Sequence, residues 1–439
     1  MESENTPPSY RRNGQPTDET LEKQSPGIES DIVRPTLDVP DGGLSAWLVL
    51  LGGFFLSMAT FGYFVSWATF QDYYETVLLS NNTPSQIAWI GSLQYSLIFF
   101  PGLLAGRLFD LGYFKVSLIS ACAAMTVANF LTAECKEYWQ FVLCQGVLLG
   151  FSAGCIYIPC IAVVSHWFAK RRPLAFSIIA FGSSVGGIIY PIIFRNLLPN
   201  VGFKWTIRTI AFINLASFII GCLTMKTRLP PRENLPRLFD IGAFASPAYL
   251  LYVLSTFIAF LGLYTPLTFL GVSAELIGIN PSFAFDLVAI VNAFSAIGRL
   301  GSGALAMSFG AVNVMAVFTV LAAVFTYIWG YVTTKAAFTA ITILYGLCTG
   351  AFICLFPVPV AHLGATNDLG RRSGMQMTIM ALGALAGPPI SGAIKQSNST
   401  FREVAVFAGT MTLASVVVMF ATSGKLLFHL RLLKRPEII

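Results

Sequence analysis

The residue best equipped for binding chemistry is Arg299, set in the apolar run LVAIVNAFSAIGRLGSGALA. An ionisable side chain inside such a run is costly in hydrocarbon, so it faces protein or an aqueous cavity and marks a functional candidate. A guanidinium facing a cavity can hold a carboxylate through two parallel hydrogen bonds. Its competing role is to pair with helix carbonyls or to reach toward the nearer interface. Asn292 lies two helical turns earlier on nearly the same face, placed either to bond a substrate oxygen or to join two helices. Asp286 is the only acid of this run and sits near its start. It is the candidate for proton coupling, weighed against the ordinary preference of acids for helix N-termini. Tyr63, Tyr95, Tyr264 and Gln94 are polar or aromatic groups of other apolar runs, suited to line a cavity or simply to pack.

The elements that position these residues are written twice in the chain. Lys170-Arg171-Arg172 is followed by an apolar run holding Gly182, Gly186 and Gly187. Arg371 and Arg372 repeat the basic pair 201 positions later, and Gly383 and Gly387 repeat the glycines at the same offset. Gly62 and Gly262, Gly146 and Gly346, Gly150 and Gly350, and Pro159 and Pro359 are each 200 apart. Basic residues opening an apolar helix mark its cytoplasmic end. Glycines at i, i+4 flatten one helix face and let a neighbour approach, so Gly182, Gly186, Gly383 and Gly387 are assigned to helix packing.

The totals agree with a membrane bundle. Only 11% of the 439 residues are charged, and the mean hydropathy is +0.70. That is too little charge to cover a soluble surface of this size. The net charge of +6 is distributed by loop and reads as membrane orientation, not nucleic-acid binding. Eight cysteines without a CxxC pair suggest neither a metal site nor a disulfide framework. No nucleotide-binding loop or nucleophile–base set is present, so an enzyme, an ATP-driven pump and a bound cofactor are not expected.

From Trp47 onward the sequence predicts twelve spans, near 46–71, 86–108, 114–133, 138–164, 173–194, 206–226, 246–272, 282–306, 311–333, 336–362, 373–394 and 401–423. Six spans per half is an even number, so the two halves run the same way. The expected layout is a disordered cytoplasmic tail (1–40), a first half (41–226), a cytoplasmic inter-half loop (227–245), a second half (246–423) and a cytoplasmic C-terminal tail (424–439). Lys and Arg concentrate in loops on the side of the two termini, which places both termini in the cytoplasm. The sequons at Asn81 and Asn398 then fall in outer loops as glycosylation candidates.

Several stretches together resemble the major facilitator superfamily, and within it the fungal branch of the monocarboxylate porters. Asp41-Gly42-Gly43-Leu44-Ser45-Ala46-Trp47 is similar to the acid-Gly-Gly opening of that branch, and FGYFVSWATFQDYY (Phe61–Tyr74) resembles its fungal members. WFAKRRPLA, with Lys170, Arg171 and Arg172, resembles its second signature; GAFICLFPVPVA and GPPISGAI are also similar to fungal members. Gly106-Arg107-Leu108-Phe109-Asp110-Leu111-Gly112, with Lys115 after it, resembles the superfamily's loop between helices two and three. The resemblance implies that Gly106, Arg107, Asp110 and Lys115, with the basic clusters at 170–172 and 371–372, belong to an inner gate. It also implies that Arg299 binds a carboxylate. The departures are Ser295, where the animal porters carry a proton-coupling acid, and Val65, near their first-helix lysine.

The expectation from sequence is an all-α membrane protein of twelve transmembrane helices in two six-helix parallel-repeat halves. It would be a secondary transporter moving a small organic anion, a monocarboxylate by preference, by alternating access, with Arg299, Asn292, Tyr63, Tyr264 and Gln94 at the site and protons as the coupling ion to test. A monomer in the plasma membrane is expected. The alternatives are export of a fungal secondary metabolite or import of a vitamin-like compound on the same fold, and, in another class, a non-transporting membrane receptor.

Overall fold

A computed structural model describes residues 40–229, 241–363, 369–397 and 400–433. The N-terminal tail, most of the inter-half loop, the sequon Asn398 and the end of the C-terminal tail lie outside the described residues.

Eleven described stretches are long and apolar enough to cross a bilayer, and one of them contains two spans. In chain order they are α1 (Leu44–Val65), α2 (Gln86–Asp110), α3 (Phe114–Thr132), α4 (Tyr138–Val164), α5 and α6 (the arms 172–201 and 203–224 of Arg172–Thr224), α7 (Pro247–Thr268), α8 (Pro281–Phe309), α9 (Ala311–Trp329), α10 (Lys335–Leu355), α11 (Arg371–Ser397) and α12 (Arg402–Thr422). A straight helix of 53 residues would be about 80 Å long, far more than a bilayer's hydrocarbon. Gly202 breaks it by leaving helical geometry at φ 72°, ψ 171°, which only glycine adopts without strain. The chain then returns: Trp167 Nε1 donates to Lys226 O at 2.8 Å, so residues flanking the two arms meet at one end of the bundle. The fold is therefore twelve spans in two repeated halves, α1–α6 and α7–α12.

The repeat shows in the packing. In the first half a Cβ on Gly150 of α4 would stand 2.9 Å from the Gln94 backbone of α2. In the second half a Cβ on Gly350 of α10 would stand 2.3 Å from Ser295 O of α8. Likewise Gly182 and Gly186 of α5 press on the α1 backbone at Phe54 O and Met58 O, while Gly383 and Gly387 of α11 press on α7 at Phe257 O and Leu261 O. Small residues allow this approach, and van der Waals contact between backbones is what holds helices together in lipid.

The end of the bundle that carries Lys170–Arg172 and Arg371–Arg372 is called the basic end; the opposite one is the far end. Near the basic end the halves close on each other. Gly102 of α2 meets Gly374 of α11 backbone to backbone. Thr378 Oγ1 donates to Phe100 O (3.2 Å) and Ser96 Oγ to Ala381 O (3.0 Å). Ser177 of α5 and Cys354 of α10 bond at 2.9 Å. The spans facing each other across the far half of the bundle are α1, α2, α7, α8 and α11, and there the halves part around a cavity.

Candidate functional site

Two spans lose their regularity where the halves part. α1 is interrupted at Ser66 and continues as Trp67–Tyr73 and Tyr74–Leu78; α7 is interrupted at Leu263–Tyr264 and continues past Thr268 as Leu270–Leu276. The breaks are near-equivalent in the repeat, and discontinuous helices are a recurrent way to build a substrate site at the centre of a transporter.

The cavity between them comprises about 650 Å³ of space between side chains, part of it open to solvent. Phe64, Trp67, Tyr95, Tyr264, Leu267 and Val291 are among the aromatic and aliphatic groups of its wall, with Ser92, Thr268 and Asn292 as neutral polar groups. Phe64 and Tyr95 stack with ring centroids 4.4 Å apart and planes within 5°, and Tyr264 closes on Tyr95 at 4.4 Å. The Tyr95 and Tyr264 hydroxyls are buried and lie against each other, and neither bonds a third described group. Among the described residues no Lys or Arg lines this space.

Toward the far end the cavity continues into a cleft through the shared residues Ala68, Thr268 and Val288. On the first half Ala68, Gln71, Asp72 and Glu75 line it; on the second, beside Ala284 and Val288 of α8, Thr268, Gly271, Val272 and Glu275 do, and the two sets of four correspond. These are the same i, i+3, i+4, i+7 face on two helices 200 residues apart. Trp67 Nε1 donates to Gln71 Oε1 (2.7 Å) and Gln71 Nε2 to Glu75 Oε1 (2.8 Å), a line of bonds from cavity to mouth. Burial raises the carboxyl pKa values of Asp72, Glu75 and Glu275, and their mutual repulsion adds to the rise at Glu75 and Glu275. Among the described residues none of the three has an ion pair with Lys or Arg.

The structure brings Tyr264 and Asn292 to the cavity, together with Tyr95. Asn292 Nδ2 donates to Val288 O (2.9 Å) and to Gly187 O of α5 (3.4 Å), so it also joins two helices. Tyr63 lies away from it: its hydroxyl accepts from Gln145 of α4 (3.4 Å), inside the first half. Gln94 is fully buried and is not part of the cavity wall. Arg299 is fully buried as well, but its Nη1 donates to Ala180 O of α5 (2.5 Å) and to Ser183 Oγ. It is not part of the cavity wall. Asp286 is half-exposed at the far end, where Arg195 of α5 pairs with it at 2.8 Å.

The basic-end residues form their own set. Gly106, Arg107 and Asp110 end α2, and Lys115 opens α3, donating to Cys222 O of α6 (2.6 Å). Arg372 donates to Leu363 O and lies over the Tyr249 ring. Arg172 Nε donates to Phe168 O. Lys170 and Arg171 are exposed, and their backbone N–H groups, with that of Ala169, donate to the Asp41 carboxylate at 3.2, 3.1 and 2.8 Å. Burial works to raise the Asp41 pKa, but these three bonds hold it below its ordinary value. His166, beside Phe109, is lowered by burial to about 4, so it is neutral near pH 7.

Sequence reasoning assigned no role to Trp67, Gln71, Asp72, Glu75 or Glu275. The signal was present, since Glu75 and Glu275 stand at the 200-residue offset already evident in the glycines.

A sequence model described as Major Facilitator Superfamily matches residues 49–353. This chain belongs to the Major Facilitator Superfamily. It is 34% identical over 88% of its length, and 80% of the relative's, to a protein of Emericella nidulans named aspyridones efflux protein apdF. It is 34% identical over 85% of its length, and 87% of the relative's, to the MFS-type transporter pynF of Aspergillus niger. Among solved structures it is similar to the human organic anion transporter MFSD10 (TETRAN), with TM-score 0.67, 15% identity and coverage of 85% of this chain and 98% of that one; this likeness concerns the fold. The chain is thus a multi-pass membrane transporter of the superfamily, not an enzyme. The resemblance to its monocarboxylate branch is a finer matter, and neither fungal relative is named for a monocarboxylate.

Proposed function

We propose that this chain is a secondary-active exporter of an amphipathic, largely apolar small molecule of the fungal secondary-metabolite kind, working by alternating access. The observation that carries this reading is the cavity wall, which is aromatic and aliphatic with neutral polar groups and no cation. A small carboxylate would need a cation to replace its hydration, because a desolvated unpaired charge is expensive. Arg299, a fully buried cation among the described residues, bonds α5 through Nη1 instead. The printed name of the Emericella relative supports the same reading. In this proposal the basic end faces the cytoplasm, the cavity opens outward, the protein acts as a monomer in the plasma membrane, and Asn81 in its exposed loop accepts a glycan. Proton coupling through Asp286 is not part of the proposal, since Arg195 already neutralises that carboxylate.

The test has two arms. Cells lacking the protein should retain aromatic metabolites that normal cells release, seen as a fall in the medium-to-cell ratio by mass spectrometry. Proteoliposomes of the purified protein should show no saturable, protein-dependent uptake of radiolabelled pyruvate beyond that of empty liposomes. Saturable pyruvate uptake with an unchanged metabolite ratio would restore the monocarboxylate reading.

A further inference from the structure

The cleft above the cavity has a charge that neither the chain as a whole nor the cavity shares. The protein carries a net charge of +6, yet three carboxylates, Asp72, Glu75 and Glu275, line this one passage. Two of them are repeat-related and come from opposite halves, so the halves meet here with like charges facing across the gap. Like charges brought together in a partly desolvated cleft repel, and packing alone gives no reason for them. Among the described residues none of the three has an ion-pair partner, whereas Arg195–Asp286, Lys204–Glu134 and Arg208–Glu134 pair elsewhere.

The carboxylates do not stand alone. They form the mouth of a space whose deeper part presents aromatic faces and two buried tyrosine hydroxyls without other partners. Aromatic faces attract a cation as well as apolar surface. Tyr95 and Tyr264 supply hydroxyls that both donate and accept, so they suit a neutral polar group on the deeper part of a ligand. Glu75 is held in register with the cavity through Gln71 and Trp67, so its charge is positioned relative to the aromatic wall. A molecule that satisfied the whole space would have an apolar aromatic body and a positive charge at the end facing the mouth.

Building on the exporter reading, we infer that the site selects amphipathic molecules with a cationic, amine-like end, which Asp72, Glu75 and Glu275 hold at the mouth while the Phe64, Trp67, Tyr95 and Tyr264 rings hold the body. The same charges disfavour an anionic compound of equal size and shape. Specificity of this kind is a difference of affinities, created as much by repulsion of the wrong ligand as by attraction of the right one.

The test uses the full-length purified protein in nanodiscs with two isosteric probes of opposite charge, tetraphenylphosphonium and tetraphenylborate, and the smaller neutral aromatic triphenylphosphine oxide. Equilibrium binding is measured against empty nanodiscs. The expected result is that the cation binds at least about tenfold more tightly than the borate, a difference well within the reach of one partly desolvated charge pair. The triple variant Asp72→Asn, Glu75→Gln, Glu275→Gln should lose that preference and keep its affinity for the phosphine oxide. Glu275→Gln alone, at an exposed position outside the Trp67–Gln71–Glu75 line, should lose part of it with an unchanged melting temperature. Binding of the neutral probe without charge preference in the wild type, or a preference that survives the triple substitution, overturns this inference and leaves the exporter reading standing. Failure of all three probes to bind overturns this inference, while the exporter reading is decided separately by the medium-to-cell metabolite ratio.

Discussion

Arg299 Nη1 lies 2.5 Å from Ala180 O, and this bond ties α8 of the second half to α5 of the first. Ser183 Oγ accepts from the same nitrogen. A buried guanidinium is costly unless its hydrogens are met; a carbonyl and a hydroxyl of the opposite half meet those of Nη1, while Nε is buried without a hydrogen-bond partner among the described residues. In the proposed alternating-access cycle the halves separate near the basic end, and this contact would then belong to one conformation only. We propose that Arg299 acts as part of the closure, in place of the anion handle that its sequence context suggests.

Arg299→Ala is therefore predicted to weaken the closed basic end by about 1.5–3 kcal/mol, the usual worth of a hydrogen bond to a charged group. That corresponds to a roughly 10- to 100-fold shift in the conformational equilibrium. Met377 is buried and packs near Gly102 at this closure, so a cysteine placed there in a background without native cysteines reports on it. Its labelling from the basic side should accelerate in the Arg299→Ala protein. Unchanged labelling together with lost substrate binding would return Arg299 to the binding site.

Gly374→Ala is predicted to act on the same equilibrium by sterics alone. Its Cβ would stand 2.7 Å from Gly102 O and 2.9 Å from Leu103 Cα, both backbone atoms that cannot rotate away. Overpacking of this sort typically costs about 1–3 kcal/mol, borne here by the closed state because Gly102 and Leu103 belong to the opposite half. Gly301→Ala on α8, where nothing lies within 4 Å of a new Cβ, is the control. Equal labelling rates at Met377→Cys in the two variants would show that α2 and α11 do not gate.

Much of this architecture was legible because membrane helices declare themselves through long apolar runs and charged ends. The glycine offsets exposed the repeat, and the same glycines are where helix backbones touch. The site was less legible, for a physical reason. Whether Arg299 faces the cavity or α5, and whether Tyr63 turns toward the cavity or Gln145, depends on helix rotations of a few tens of degrees that periodicity does not resolve. Gln94 has the same ambiguity. Asp72, Glu75 and Glu275 look like ordinary acids beyond the helix ends until the two extensions are placed opposite each other. The 200-residue offset was the one clue that could have paired Glu75 with Glu275 beforehand.

Asp41 supplies a prediction in pH. Its carboxylate accepts from three successive backbone N–H groups of the α4–α5 loop, just ahead of the N-terminus of α5, where the helix dipole also favours negative charge. Its pKa is lowered from 3.8 in the folded protein, so the folded state binds this proton less readily than the unfolded chain does. The stabilisation is therefore complete above the ordinary value and disappears as pH falls through the lowered one. Asp41→Ala should cost about 1 kcal/mol at pH 7, the typical worth of a capping carboxylate, seen as a lower melting temperature in nanodiscs. The difference between wild type and variant should hold steady from pH 7 to about 5 and narrow toward pH 3 as the wild-type carboxylate protonates. A difference that stayed constant down to pH 3 would mean that Asp41 contributes through its shape and not its charge, and the clamp on the α4–α5 loop would not be electrostatic.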